Sequence, residues 1–267
     1  MSWAEALLLA VVQGLTEFLP VSSSGHLAAL QNYLSGFDPD DLAYDVLLHV
    51  GTLLSVLVYF HRDLWELGCG FMGRGSRVRV ARRLVGLLLL STTITGIIFL
   101  FLGEWVKASF GSLTTIGLMF LMTGSILFAT RWAPAPLRSE TRMRWRDAIG
   151  VGAAQGLALL PGISRSGTTI AAALLLGVDR ETAIRYSFLL SIPAILGAVL
   201  SLAVGESHLV FQPSSLGIHL AGAGVAALVG YGAIHMLLKI VRSGHLAHFA
   251  FYCWTLGAFI LVQQTVL

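Results

Sequence analysis

Six stretches of the chain are apolar and almost free of charge: Tyr44 to Phe60, Leu84 to Leu102, Ser112 to Thr130, Tyr186 to Gly205, Ser215 to Leu238 and Phe249 to Val266. Each approaches the roughly 20 residues that carry an α-helix across a bilayer. Lipid offers no partner to a bare N–H or C=O, so such runs fold as helices. Two further apolar stretches, Ala4 to Leu34 and Ala148 to Val178, are interrupted near the middle by Pro, Gly, Ser and ionisable residues. They predict helix, break and second helix. The expected fold class is an all-α polytopic membrane protein, one integral membrane domain over 1–267 with six transmembrane helices and two re-entrant helix pairs.

Composition supports this plan. Of the 267 residues, 56% are hydrophobic and 12% charged, with a mean hydropathy of +0.80; soluble domains carry about 25% charged residues. Membrane lipid is therefore the expected surround. The net charge of +3 is too small to suggest a nucleic-acid partner. Cys69 and Cys253 show neither metal-ligand spacing nor a disulfide framework. The apolar stretch from Trp3 to Val12 contains Glu5 and has no basic lead, so the N-terminus reads as retained.

Charge position gives the orientation. Arg62, Arg74, Arg77, Arg79, Arg82 and Arg83 separate the first two spans. Arg131, Arg138, Arg142, Arg144 and Arg146 follow the third, Arg180 and Arg185 flank the fourth, and Lys239 and Arg242 precede the sixth. Basic loops face the cytoplasm, and these hold fifteen of the 17 basic residues. The other side has Lys107 with Glu5, Asp38, Asp40, Asp41, Asp45, Glu104 and Glu206. The sorting holds only if both broken stretches return to the side they came from, one pair from outside and one from inside. Their tips then meet near the midplane.

The broken stretches also resemble each other. Gln13-Gly14-Leu15 matches Gln155-Gly156-Leu157, and Ser24-Gly25 matches Ser166-Gly167. Each precedes three spans, an odd number, so the copies are inverted, with repeat 1 over 1–130 and repeat 2 over 146–267. Inverted repeats place a polar site where their broken helices meet.

The chemistry at the breaks suits an anion. The returning half-helices present N-terminal amides and a positive dipole end, and their Ser and Gly residues allow close approach to the backbone. Arg165 adds a bidentate phosphate partner. Glu17 lies just before one break and His26 just after it. The plainer reading of Glu17 and Arg165 is a structural ion pair, but burying charge for stability alone is costly. His49, His219 and His235 read as packing residues, with His49 the first candidate for an exception.

At these motifs the chain resembles the undecaprenyl pyrophosphate phosphatase family of the bacitracin-resistance type. The residues are Gln13 and Glu17, then the break Pro20-Val21-Ser22-Ser23-Ser24-Gly25-His26, and the second motif of Pro161, Gly162, Ser164, Arg165, Ser166 and Thr169. Gln13 stands where Glu is the family's alternative, leaving Glu17 as the motif's sole carboxylate.

The resemblance implies hydrolysis of undecaprenyl pyrophosphate to the monophosphate and inorganic phosphate, recycling the carrier lipid for peptidoglycan synthesis. It implies a divalent cation, Mg²⁺ or Ca²⁺, held by Glu17, and places the protein in the bacterial cytoplasmic membrane with a site opening to the periplasm. Glu17, His26, Arg165 and Ser23 would be catalytic, with His26, Ser23 or water as nucleophile. Gln13, Ser22, Ser24, Ser164, Ser166 and Thr169 would bind substrate. The partner is a polyprenyl pyrophosphate lipid, and a homodimer is left open. A flippase or anion transporter is the runner-up, since broken-helix repeats also build carriers. An acid-phosphatase-like lipid phosphatase is disfavoured because the chain lacks that enzyme's Lys-x6-Arg-Pro segment.

Overall fold

A computed structural model describes residues 1–32, 42–205 and 216–266. Asp38, Asp40, Asp41 and Glu206, together with the predicted boundaries at Leu34 and Ser215, lie outside them. The described residues form eleven α-helices: α1 (Trp3–Phe18), α2 (Ser23–Gln31), α3 (Leu42–Tyr59), α4 (His61–Phe71), α5 (Val78–Ser109), α6 (Leu113–Ala129), α7 (Trp145–Leu157), α8 (Arg165–Leu175), α9 (Arg180–Gly205), α10 (Leu216–Arg242) and α11 (Phe249–Val266).

Helices α3, α5, α6, α9, α10 and α11 correspond to the six predicted spans. Both broken stretches fold as helix, break and helix, α1 with α2 and α7 with α8. Local sequence sets the starts. Ser2 and Glu5 form a capping box, Ser2 N donating to Glu5 Oε2 at 2.8 Å and Glu5 N to Ser2 Oγ at 3.3 Å. At the breaks, Ser22 and Ser164 cap α2 and α8 by accepting the N–H of Gly25 and Gly167.

Two boundaries differ from expectation. Helix α5 runs for 32 residues, well beyond Leu84 to Leu102, because the bilayer limits an apolar run whereas a helix continues through Arg79, Arg82 and Arg83 until its caps. The first span bends by 72° after Tyr59, and α4 departs through what read as a connecting loop. Eleven residues span only about 17 Å, too short to cross. The helix and the residue after it leave Trp65, Phe71 and Met72 exposed, as in helices lying at a membrane interface.

The exterior is strongly apolar, with Leu100, Phe101 and Leu228 each more than three-quarters exposed, an arrangement suited to lipid. Polar groups turn inward and join helices, as membrane bundles require. Ser91 on α5 donates to Ala148 O on α7 at 2.7 Å and meets Tyr186 Oη on α9 at 2.7 Å. Ser55 on α3 donates to Ala227 O on α10 at 2.6 Å. Helix α1 packs on α10 and α7 on α5, while α6 pairs with α11 and α3 with α9.

The basic connections gather at one end of the bundle. Arg185 meets Asp63 and Glu140, each at 2.6 Å, Arg77 also reaches Glu140 at 3.0 Å, and Arg242 holds Glu181 at 2.6 Å. Arg138 binds Asp147 and the carbonyl of Leu176. These contacts join α4, the 130–146 connection, α9 and the end of α10, the segments that charge sorting assigns to one side.

Candidate active site

The two breaks touch. Ser22 Oγ accepts the backbone N–H of Gly162 at 3.1 Å, as well as that of Gly25 at 3.3 Å. Ser22 holds φ at +67°, a left-handed conformation that side-chain-bearing residues adopt at a cost of about 1–2 kcal/mol. Gly162 sits at φ +96°, and a Cβ there would meet Ile116 O at 2.6 Å, so only glycine lets this turn reach Ser22. Thr123 on α6 locks the second break from behind. Its hydroxyl donates to Gly162 O at 2.7 Å and accepts from Ser164 N at 3.1 Å.

Glu17, near the end of α1, is the centre of the polar cluster. Its Oε1 accepts from Arg165 Nη2 at 2.5 Å; its Oε2 accepts from Ser23 Oγ at 2.5 Å and Gln13 Nε2 at 3.2 Å. Both charged side chains are largely buried. Glu17 sits at a helix C-terminus and Arg165 in the first turn of α8, the unfavourable end for each sign. Helix stability therefore does not explain their placement. An anion entering here would find Arg165 and the N-termini of both α2 and α8.

Four predicted site residues thus converge: Gln13, Glu17, Ser23 and Arg165. Ser24 Oγ stands 3.3 Å from Ser22 Oγ, and Ser166 Oγ stands 3.3 Å from Ser164 Oγ and 3.4 Å from Leu19 O, which accepts its proton. Thr169 is fully buried, and its hydroxyl is committed to Arg165 O at 2.8 Å and Ser187 Oγ at 2.6 Å, tying α8 to α9. His26 is held by contacts to α6 and α11. Its Nδ1 meets Ser22 O at 2.7 Å, its Nε2 meets Tyr252 Oη at 2.7 Å, and its ring stands edge-on to Phe120. His49 on α3 lies within electrostatic reach of Glu17. Cys253 is buried beside the first break, with Pro20 O 3.8 Å from its sulfur.

No local pattern marks Thr123, Ser187, Phe120 or Tyr252. Each is a single residue inside an apolar run and enters the site only through helix packing.

The donor set suits a cation in one particular way. Among the described residues no three His, Cys, Asp or Glu side chains group as metal ligands. A carboxylate only accepts, so Gln13 must turn its NH₂ to Glu17, which leaves its Oε1 buried without a hydrogen-bond partner. One carboxylate oxygen plus an amide oxygen fits a hard cation that arrives on a diphosphate rather than one caged by protein alone.

A cavity of about 160 Å³ lies instead at the basic end, between Tyr59, Phe60, Asp63, Glu181, Arg185, Leu238 and Arg242. Its four charged side chains are already in ion pairs, and it stands apart from both breaks.

Relatives match the chain along nearly its whole length. The chain is 44% identical to a protein of Desulfatibacillum aliphaticivorans named Undecaprenyl-diphosphatase, over the whole of both chains. A protein of the same name from Syntrophotalea carbinolica is 43% identical over 96% of this chain and 97% of its own length. One from Korarchaeum cryptofilum is 42% identical over 98% and 99%. The profile of the family described as bacitracin resistance protein BacA matches residues 6–259, which takes in both breaks, the first five spans and the first part of the sixth, and the chain belongs to that family.

Proposed function

We propose that this multi-pass membrane enzyme hydrolyses undecaprenyl pyrophosphate to undecaprenyl phosphate and inorganic phosphate. The observation that carries the reading is Ser23 donating its proton at 2.5 Å to a carboxylate that also holds Arg165. A hydroxyl against a base, next to a guanidinium and two helix N-termini, is a phosphoryl-transfer arrangement. A carrier has no need of a nucleophile beside a base, and the relatives' name points the same way.

Each side chain then has a role in the reaction. The diphosphate draws Arg165 from Glu17 into a bidentate contact with the terminal phosphoryl group. Glu17 Oε2 takes the proton of Ser23, whose Oγ attacks the terminal phosphorus as the bond to the bridging oxygen breaks. Undecaprenyl phosphate departs with the proton from Glu17. Water then attacks the phosphoserine phosphorus with His26 as base. The Ser23 Oγ–P bond breaks, the water proton returns to Ser23, and inorganic phosphate leaves. Gln13 Oε1 and Glu17 Oε1 would hold Mg²⁺ or Ca²⁺, which when bound neutralises diphosphate charge. Ser22, Ser24, Ser164 and Ser166 line the two half-helix starts that face the phosphates, and Thr169 supports α8 beneath them.

The same reading places the protein in the bacterial cytoplasmic membrane, with the basic end inside and the site open to the periplasm. The inverted repeat is supported by reciprocal packing: the first helix of each half lies against the penultimate helix of the other, α1 on α10 and α7 on α5.

The deciding experiment measures phosphate release from polyprenyl pyrophosphate by purified protein, with and without EDTA, beside a vesicle transport assay. Metal-dependent release is expected. Lipid transport without hydrolysis would replace the enzyme by a carrier.

A further inference from the structure

His26 is held from two sides that differ in kind. Phe120 on α6 is fully buried, and its ring centroid stands 5.2 Å from that of His26 at 87°, so this wall cannot move without disturbing the bundle. Tyr252 on α11 is 48% exposed. Its ring is parallel to the imidazole within 6°, and its hydroxyl lies 2.7 Å from Nε2.

The hydrogen bonds define the tautomer. Ser22 O is a carbonyl and can only accept, so the Nδ1 atom at 2.7 Å carries a proton. In the neutral ring the lone pair is then on Nε2, and Tyr252 must be the donor to it. The resting structure therefore covers the basic nitrogen of His26 with a phenol. The carbonyl that sets this tautomer belongs to Ser22, whose Oγ also joins the two breaks, so the ring's register is tied to an assembled site.

We infer that Tyr252 is a positioning residue for His26: its hydroxyl holds the ring with Nε2 poised as base and covers that nitrogen until water and phosphate take its place. The inference rests on His26 acting as base in the proposed hydrolysis. Tyr252 is suited to yield because half of its surface is free and only two side-chain torsions move, whereas Phe120 keeps the imidazole in place. Nothing in either break motif identifies Tyr252, which lies 226 positions beyond His26.

Two measurements on Tyr252→Phe test this, because phenylalanine keeps the ring and removes only the hydroxyl. The first is the rate at which diethyl pyrocarbonate modifies His26, read by peptide mass spectrometry in substrate-free protein. The reagent needs an unprotonated, accessible ring nitrogen, so modification should be several-fold faster in the variant. The second is steady-state kinetics. Loss of one orienting hydrogen bond should lower kcat by about 2- to 10-fold with KM nearly constant. Tyr231→Phe, another half-exposed tyrosine on α10, controls for the substitution itself. Equal modification of wild type and Tyr252→Phe would overturn the cap, and faster modification with unchanged kcat would overturn the positioning role. Should wild type release no phosphate at all, the proposed function falls, while the modification rates still decide whether Tyr252 covers His26.

Discussion

Arg165 Nη2 lies 2.5 Å from Glu17 Oε1, joining two half-helices whose sequence positions differ by 148. Each partner is the other's main counter-charge in a largely buried setting. Removing one leaves an uncompensated buried charge, at a cost of about 3–5 kcal/mol. Glu17→Gln and Arg165→Met should each lower the thermal midpoint in detergent. The double variant should unfold above either single variant, since no orphan charge remains. A double variant whose losses simply add would show that the pair is not coupled.

Arg165→Lys separates charge from geometry. Lysine keeps the positive charge and should retain most of the stability, but it cannot hold a phosphoryl group through paired N–H donors. Activity should fall by about 10²-fold or more. Near-normal turnover would make the guanidinium peripheral to the reaction.

Ser22 bears on the assembly of the site. Ser22→Ala leaves two buried N–H groups, those of Gly25 and Gly162, without their acceptor, at about 1–3 kcal/mol each. Ser22→Gly loses the same bonds but relieves the φ of +67°, worth about 1–2 kcal/mol, which exceeds most of glycine's extra unfolded-state freedom. The glycine variant should therefore melt above the alanine variant, with both poorly active. The reverse order of melting temperatures would mean that Ser22 is unstrained.

Cation dependence should appear in catalysis and not in folding. With one carboxylate in the cluster, the cation relies on substrate phosphates for its remaining ligands. EDTA should reduce phosphate release more than about tenfold, with recovery on adding Mg²⁺ or Ca²⁺. The melting temperature of substrate-free protein should be the same with EDTA and with Mg²⁺. A large stabilisation by Mg²⁺ alone would reveal a protein-caged metal.

Orientation can be tested by side-selective labelling. Ser76 is exposed in the basic connection after α4; Cys253 is buried and Cys69 partly exposed. In a Cys69→Ser background, Ser76→Cys should react only with a thiol reagent that reaches the cytoplasmic face. Labelling from outside would invert the topology and remove the basis for the inverted repeat.

The apolar runs and the matched Gln-Gly-Leu and Ser-Gly segments were enough to determine the helices and the two breaks. Insolubility of the backbone in lipid makes hydrophobic length a direct code for a spanning helix, and Pro, Gly and Ser at 20–25 and 161–167 mark where such a helix cannot continue. Glu17 and Arg165 were legible for the same reason, because ionised groups at membrane depth need a purpose. Tertiary structure alone decided their partners. It put Ser23 rather than His26 on Glu17, turned Thr169 toward Ser187, and brought Phe120 and Tyr252 around His26. It also bent α4 aside at Phe60. Those outcomes depend on how helices rotate and pack against one another. Residues such as Thr123 and Tyr252 carry no local pattern, because their roles exist only across helices distant in the chain.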